Sequence, residues 1–91
     1  MPYVDQVHRA VIDPMLSPIL RYVYQANLLS GDVNYIVTRI ILSWLGEKPC
    51  YADYNNAVGI LECVKLELYR RMIAPYEDEK KEDNGDVYPD R

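Results

Sequence analysis

The residues best suited to binding chemistry in this sequence are tyrosines and arginines on two predicted helices. Tyr35 and Arg39 are four positions apart, which puts them on one helix face. Arginine offers a planar fork for phosphate, while tyrosine offers a ring for a base and a hydroxyl for a sugar. The sequence therefore predicts a site for a small anionic, nucleotide-like ligand, with the candidate binding residues Tyr35, Thr38, Arg39, Arg70, Arg71, Tyr76 and Tyr88.

A purely structural role is also open for the arginines of this set. Arg70 and Arg71 at a helix C-terminus favour the helix dipole whatever else they do. Glu67 can pair with either at short helical spacing. Adjacent arginines point about 100° apart, so at most one of the two faces a given site. For Arg39 the binding and structural roles are equally open.

The sequence lacks the residue sets that enzymes and metal sites use. His8 is the only histidine, and there is no nucleophile elbow or phosphate-cradling glycine loop. Glu62 and Glu67 are five apart, so they do not form a paired-carboxylate site on one face. Cys50 and Cys63 lack CxxC spacing; Cys63 is expected in the core and Cys50 in a loop. We expect no catalysis, no metal and no cofactor.

The net charge of −4 is concentrated at the C-terminus. Residues 1–76 hold seven acids and seven bases, a sum of 0, whereas residues 77–91 hold seven acids and three bases, a sum of −4. A neutral body argues against general nucleic-acid binding, which needs a basic surface. No apolar run approaches the ~20 residues that span a bilayer, and no signal peptide is visible. We expect a cytoplasmic protein with reduced thiols.

Ninety-one residues allow one domain, and the pattern of caps, prolines and apolar spacing predicts an all-α fold. We expect a compact helical bundle of three to four helices. Gly31 suits a left-handed position at a helix end, and Pro75 is a stop signal. The predicted helices run from an Asp5 cap through Ile12, from Pro14 to Leu29, from Asp32 to Leu45, and from Asp53 or Asn55 to about Ala74.

Apolar residues fall on more than one side of the last two predicted helices. Gly59, in the middle of the fourth, suits a close approach of another backbone or a ligand, because glycine there costs ~1 kcal/mol relative to alanine. Homo-oligomerisation explains the surplus apolar faces; the alternative is a tightly wrapped monomer. The main predicted stripes are Val33, Ile36, Val37, Ile40 and Trp44, and then Tyr54, Ala57, Val58, Leu61, Val64, Leu68 and Met72.

The C-terminal segment, residues 77–91, is predicted to be an acidic tail on a helical domain of residues 1–76. The motif NGDVY closes it: Asn84 and Gly85 signal a tight turn. Val87 and Tyr88 are apolar residues that a fully solvated segment does not need. We therefore predict that they anchor the tail on their own subunit or on a neighbour; a wholly disordered tail is the alternative.

Three stretches carry a resemblance to a known group of proteins: GDVNYIVTRIILSWLG, YADYNNAVGILECVKLELYRR and APYEDEKKEDNGDVY. They resemble a family of small proteins encoded by tailed bacteriophages and by prophage and metagenomic contigs. The match runs from Gly31 to Tyr88, and phage-like members end near NGDVY. The resemblance assigns no catalytic or binding residue. It implies a phage accessory protein made in the cytoplasm of an infected bacterium.

These observations together predict a non-catalytic, homo-oligomeric binding protein. The leading hypothesis is a counter-defence sponge that sequesters a nucleotide-derived immune signal in pockets lined by Tyr and Arg. One alternative is an inhibitor or adaptor that engages a host defence protein through the acidic tail and an exposed apolar face. Another is a minor structural or replication-accessory protein of the phage, which needs no pocket.

Overall fold

The chain folds entirely into helices over the part that the structure, a computed structural model, describes, which is residues 2–89. No strand occurs in those residues, so the all-α prediction is confirmed. The helices are α1 (Gln6–Gln25), α2 (Ser30–Leu45), α3 (Tyr51–Leu68) and α4 (Ala74–Asn84), with a π-helical segment (Tyr69–Ile73) joining α3 to α4. The backbone divides into two units, Pro2–Ala57 and the residues from 58 onward.

In the first unit, α1 is one helix of 20 residues, so the predicted break at Asp13 and Pro14 is wrong. Asp5 caps the helix, with its Oδ1 accepting a hydrogen bond from the His8 backbone N–H at 2.9 Å. Pro14 and Pro18 both lie inside. Each proline removes one backbone hydrogen bond. The carbonyls left over, at Ala10 and Pro14, belong to exposed residues, where water can satisfy them.

The turn between α1 and α2 is made by Asn27 and not by glycine. Asn27 has a φ of 54°, the left-handed conformation that asparagine tolerates better than most residues. Gly31 lies in the first turn of α2, so its predicted left-handed role is wrong. The Asp32 Oδ2 accepts a hydrogen bond from the Leu29 N–H at 3.0 Å, which satisfies one free donor at the start of the helix.

Helix α2 ends at Gly46, as the sequence predicts, with φ of 75° at this glycine. Helix α3 begins at Tyr51, a little before the predicted start. The Asp53 Oδ2 accepts a hydrogen bond from the Cys50 N–H at 2.9 Å. This bond, reinforced by a contact with the Cys50 side chain, holds the pKa of Asp53 below its ordinary value of 3.8.

In the second unit the helix does not stop at Pro75, so that prediction is wrong. Proline has no N–H to bond with the Arg71 carbonyl, and its ring crowds that carbonyl. The backbone responds by widening: the Ala74 N–H bonds to the Tyr69 carbonyl, five residues back, and α4 continues from there. The charged run that follows Pro75 is therefore helical as far as Asn84.

Ala57 is the one buried residue among those described, at 5% exposure. Both stripes predicted as core are otherwise exposed or half-buried in the isolated chain, including Trp44, Leu61 and Val64. Cys63 is exposed, so its predicted place in the core is wrong. Within residues 2–89 no helix combines the length and apolar character needed to cross a bilayer.

Candidate functional site

The predicted pair Tyr35 and Arg39 forms on the surface of α2. An Arg39 guanidinium N–H donates a hydrogen bond to the Tyr35 hydroxyl at 2.9 Å. The guanidinium carbon also lies 5.7 Å from the centre of the Tyr35 ring, within the range of a cation–π contact. The i, i+4 spacing brings the two side chains together. One arginine is thereby oriented before any ligand arrives.

This pair lies on a groove in the first unit, formed by facing surfaces of α1 and α2. The groove has a volume of about 630 Å³, within the range of small-molecule sites. Its wall is mainly aliphatic and aromatic, and none of its lining residues is acidic. The lining residues are Pro18, Ile19 and Tyr22 from α1, and Tyr35, Ile36, Arg39, Ile40 and Ser43 from α2.

The chemistry of the groove suits a flat, negatively charged ligand. Arg39 carries its only formal charge, and a guanidinium has five N–H donors, of which the structure directs one at Tyr35. The tyrosine rings and aliphatic walls can hold a base by stacking and burial. A guanidinium keeps its proton in proteins, so it attracts an anion without acting as a general acid.

Thr38 lies beside this pair in the sequence but does not line the groove. Its hydroxyl donates to the Asn34 backbone carbonyl at 2.7 Å, the bond that a helical threonine commonly makes to the preceding turn. The hydroxyl also lies 3.2 Å from the Asn34 side-chain oxygen. The structure therefore gives Thr38 a local helical role.

The other predicted site residues lie in the second unit. Arg70 pairs with the Glu67 carboxylate one turn earlier, which is the structural role the sequence left open. Arg71 follows it in the π-helical segment. The Lys80 ammonium lies 5.6 Å from the centre of the Tyr76 ring, so this tyrosine already has a cation beside it. The structure places none of these residues in the groove of α1 and α2.

Tyr88 belongs to a turn that follows α4. Gly85, with a φ of 89°, reverses the backbone, and its N–H bonds to the Lys81 carbonyl at 2.8 Å. The Tyr88 N–H then donates to Asp86 Oδ1 at 2.9 Å. The turn and α4 form a second cleft, with Tyr69 and Tyr88 among its lining residues. The Tyr88 side chain is 79% exposed and that of Val87 is 89% exposed, so anchoring of the tail stays a prediction.

Tyr69 in the second cleft has a shifted acidity. Its hydroxyl donates a hydrogen bond to the Glu77 carboxylate, and this bond, with the negative charge of Glu77, raises the pKa of Tyr69 above its ordinary value of 10.0. Slight burial and the nearby Tyr88 and Asp78 raise it further. The cleft is lined by three carboxylates, Glu77, Asp78 and Asp86, and by two lysines, Lys80 and Lys81, so it lacks the unopposed positive charge that Arg39 gives the groove.

Sequence reasoning missed the α1 side of the groove. Neither Tyr22 nor Ile19 was among the candidate binding residues. Ile36 and Ile40 were assigned to the main apolar stripe of this helix, yet they line the groove together with Tyr35 and Arg39. The groove is open enough to be lined by two adjacent pairs of α2, Tyr35–Ile36 and Arg39–Ile40, although adjacent helical residues point about 100° apart.

His8 is paired locally and stands apart from the groove. Its Nδ1 lies 3.6 Å from the Asp5 carboxylate, a pair that becomes ionic when the imidazole is protonated. Over residues 2–89, no three His, Cys, Asp or Glu side chains come together in a group that could hold a metal ion.

Comparison with known proteins identifies a family but no relative of known activity. A family model described as a domain of unknown function, DUF6899, matches residues 1–87. No curated protein and no solved structure shows significant similarity to the chain. The groove therefore has to be interpreted from its own residues.

Proposed function

The chain belongs to the DUF6899 family, a domain of unknown function, and we propose that it is a non-catalytic, homo-oligomeric protein that sequesters a small nucleotide-derived ligand. The observation that carries this proposal is the Arg39 guanidinium, oriented by Tyr35 at the edge of an aliphatic groove. Such an arrangement supplies a charge for phosphate and an apolar wall for a base.

Pre-orientation of Arg39 favours tight binding. An arginine side chain loses much rotamer freedom when it is fixed. The hydrogen bond and the ring contact with Tyr35 restrict that freedom in the free protein, so less is lost when a ligand binds. A protein that acts by sequestration needs this property, because each site removes only one ligand from solution.

The accessible surface of the chain supports the oligomer in this proposal. The isolated chain exposes 8554 Å². A folded monomer of its mass, 10.6 kDa, exposes about 5,500 Å². The difference, about 3,000 Å² per chain, exceeds the ~800 Å² that each partner buries in a standard interface. Contact with further copies would cover the exposed apolar stripes.

The biological role in this proposal is counter-defence in the cytoplasm of an infected bacterium. It rests on the resemblance of three sequence stretches to phage-encoded proteins, together with the site chemistry above. A nucleotide-derived immune signal is a small anion, which the Arg39 groove suits. Its removal by stoichiometric binding requires no catalytic group, only enough protein and a slow release of the ligand.

A protein-directed inhibitor or adaptor is the second candidate, and one observation favours it. Helix α4 carries five of the seven acidic residues of segment 77–91, and all of it except Ala74 at its start is solvent-exposed. The turn after it presents Val87 and Tyr88 to solvent. An acidic helix followed by exposed apolar side chains suits docking on a basic, partly apolar protein surface.

Native mass spectrometry tests the proposal. The protein, purified gently from bacteria with an active nucleotide-signalling defence, should appear as an oligomer that retains a ligand of nucleotide size. Arg39→Ala should weaken that binding by about 10- to 100-fold, the usual effect of losing a hydrogen bond to a charged group. Helical content, measured by circular dichroism, should be unchanged because Arg39 is exposed.

Arg21→Ala is the matched control. Arg21 lies on α1 in the same unit but does not line the groove, so this variant should bind as the wild type does. A wild-type protein without retained ligand, which instead captures a host protein only when residues 77–91 are present, would replace sequestration with the adaptor function. Equal binding by Arg39→Ala and wild type would remove the groove from the proposal.

A further inference from the structure

We propose that a second copy of the chain closes the groove by packing its own α1–α2 face against it, and that the anionic ligand supplies the negative charge that makes this contact stable. The inference rests on the proposed function for the identity of the ligand class. It adds a partner for the groove and a coupling between ligand binding and assembly.

The groove is complete on one side only. Its floor and walls come from α1 and α2, but Tyr22 and Tyr35 are 59% and 60% exposed, and Ile40 is half exposed. A flat ligand in the groove would bury one of its faces and leave the other in water. Ligands of this size are usually held on most of their surface. Something must cover the open side.

A second copy is the occupant that the surface area favours. Each chain exposes about 3,000 Å² more than a folded monomer of its mass, enough for interfaces of the obligate class. In a twofold contact the same face serves both copies, so it must be self-complementary. The α1–α2 face meets that need: it is mainly aliphatic and aromatic, and two such helix pairs together form a four-helix packing unit.

Charge then makes the ligand part of the interface. Two copies bring two Arg39 side chains to one contact, and none of the residues lining the groove is acidic. Removing two like charges from water without a counter-charge is strongly unfavourable. A ligand with at least two negative charges neutralises both guanidinium groups. Ligand binding and self-association therefore strengthen each other, as thermodynamic linkage requires.

This coupling predicts that removing the Arg39 charge strengthens self-association without anion but abolishes the response of association to anions. Arg39→Met keeps an unbranched apolar side chain but loses the positive charge. In the absence of any anion, it should strengthen self-association by about tenfold or more, since no buried charge then lacks a partner. The same variant should lose the response to anions. If Arg39 contributed only favourable packing or polar contacts to the interface, its replacement would weaken association instead.

Sedimentation equilibrium measures both effects, with inorganic pyrophosphate as the probe. Wild type should self-associate more tightly with pyrophosphate, and Arg39→Met should associate tightly with or without it. Arg21→Met, outside the groove, should behave as the wild type does. Ile40→Ala should weaken association of the wild-type chain, because Ile40 lies in the proposed contact.

Two results would overturn the inference: an Arg39→Met variant that associates no more tightly than wild type without anion, or a wild type whose association pyrophosphate does not strengthen. The proposed function fails separately. A protein that dimerises with pyrophosphate but retains no nucleotide keeps this inference and loses the function. A monomer that binds a nucleotide at one per chain keeps the function and loses this inference.

Discussion

Two tyrosines of this chain show how the partner of a hydroxyl decides its role. The Tyr35 hydroxyl accepts a hydrogen bond from Arg39, so it orients a cation and leaves it able to bind an anion. The Tyr69 hydroxyl donates to the Glu77 carboxylate, which stabilises its protonated form. The first arrangement suits ligand capture, whereas the second ties α4 to the π-helical segment.

Tyr69 should therefore titrate above its ordinary value of 10.0, and Glu77→Gln should bring its pKa back toward that value. The raised pKa means that the protonated hydroxyl is favoured in the folded chain. Its contribution to stability is complete below the ordinary pKa and is lost as the pH rises through the raised one. Ultraviolet difference titration of the phenolate, with Tyr69→Phe subtracted to remove the other tyrosines, measures the shift.

Asp78→Asn is the control for this prediction. It removes one negative charge from the same helix, but Asp78 is the last and smallest of the causes that raise the Tyr69 pKa. Its effect should be smaller than that of Glu77→Gln. Equal shifts in the two variants would mean that Tyr69 senses only the general negative charge of α4, without a hydrogen bond to Glu77.

Residue spacing was sufficient to predict the Tyr35–Arg39 pair, because i, i+4 neighbours contact each other in any helix. It could not predict Tyr22 as part of the groove. That assignment depends on how α1 faces α2, which is set by the turn at Asn27. The bond from Thr38 to the Asn34 carbonyl is one that a helical threonine commonly makes, so the sequence could have indicated a local role for Thr38.

At the level of helices, Pro75 is the residue that shapes the second unit. The π-helical segment inserts one extra residue into a turn, which rotates everything after it by about 100° relative to an uninterrupted α-helix. The contact between Tyr69 and Glu77 is made across this segment. A loss of the π-turn would move Glu77 around the helix and away from the Tyr69 hydroxyl.

Pro75→Ala should produce that change. Alanine restores the N–H that can bond to the Arg71 carbonyl, so we expect a regular α-helix from α3 into α4 and a gain in helix stability of up to ~3 kcal/mol. The Tyr69 pKa should fall toward 10.0 at the same time. Phenolate titration and amide hydrogen exchange across residues 69–78 report the two effects.

Pro18→Ala is the matched control, since it also replaces a proline inside a helix but lies in the first unit. It should leave the Tyr69 titration unchanged. If Pro75→Ala also left that titration unchanged, the π-turn would not depend on proline, and the cause would have to lie in the packing of α4 on the π-helical segment.

The sequence predicted a helix end correctly where the backbone could adopt only one arrangement. Gly46 ended α2 as predicted, because a φ of 75° suits glycine. Proline, in contrast, can either end a helix or be accommodated within it. At Pro14 and Pro18 the α-helix continues, with exposed carbonyls that water can satisfy, whereas at Pro75 the chain continues through the π-helical segment.

For the whole molecule, the important quantity is the apolar surface that the chain does not cover itself. Sequence periodicity predicted the apolar stripes, but it treated most of them as a core within one chain. Ala57 is the one buried residue described, so the stripe residues are otherwise exposed or half-buried in the isolated chain. Which face meets which partner depends on surface shape and on other copies, and neither is encoded in helical spacing.

Gly59 offers a test at this scale, because a methyl group at its position would meet open space in the isolated chain. Within one chain, Gly59→Ala should only stabilise α3, by ~1 kcal/mol. We predict that Gly59 permits close approach of another copy, so that the variant weakens assembly. The wild-type melting temperature should rise with protein concentration, as for any stabilising association. In Gly59→Ala this dependence should shrink and the melting temperature at high concentration should fall.

Gly31→Ala provides the comparison. Gly31 is also helical, and a methyl group there also meets open space, so this variant should melt slightly higher with an unchanged dependence on concentration. If Gly59→Ala behaved in the same way, α3 would have no close neighbour at that residue and the assembly would use other faces. If the wild-type melting temperature did not depend on concentration at all, the exposed stripes would not be covered by further copies.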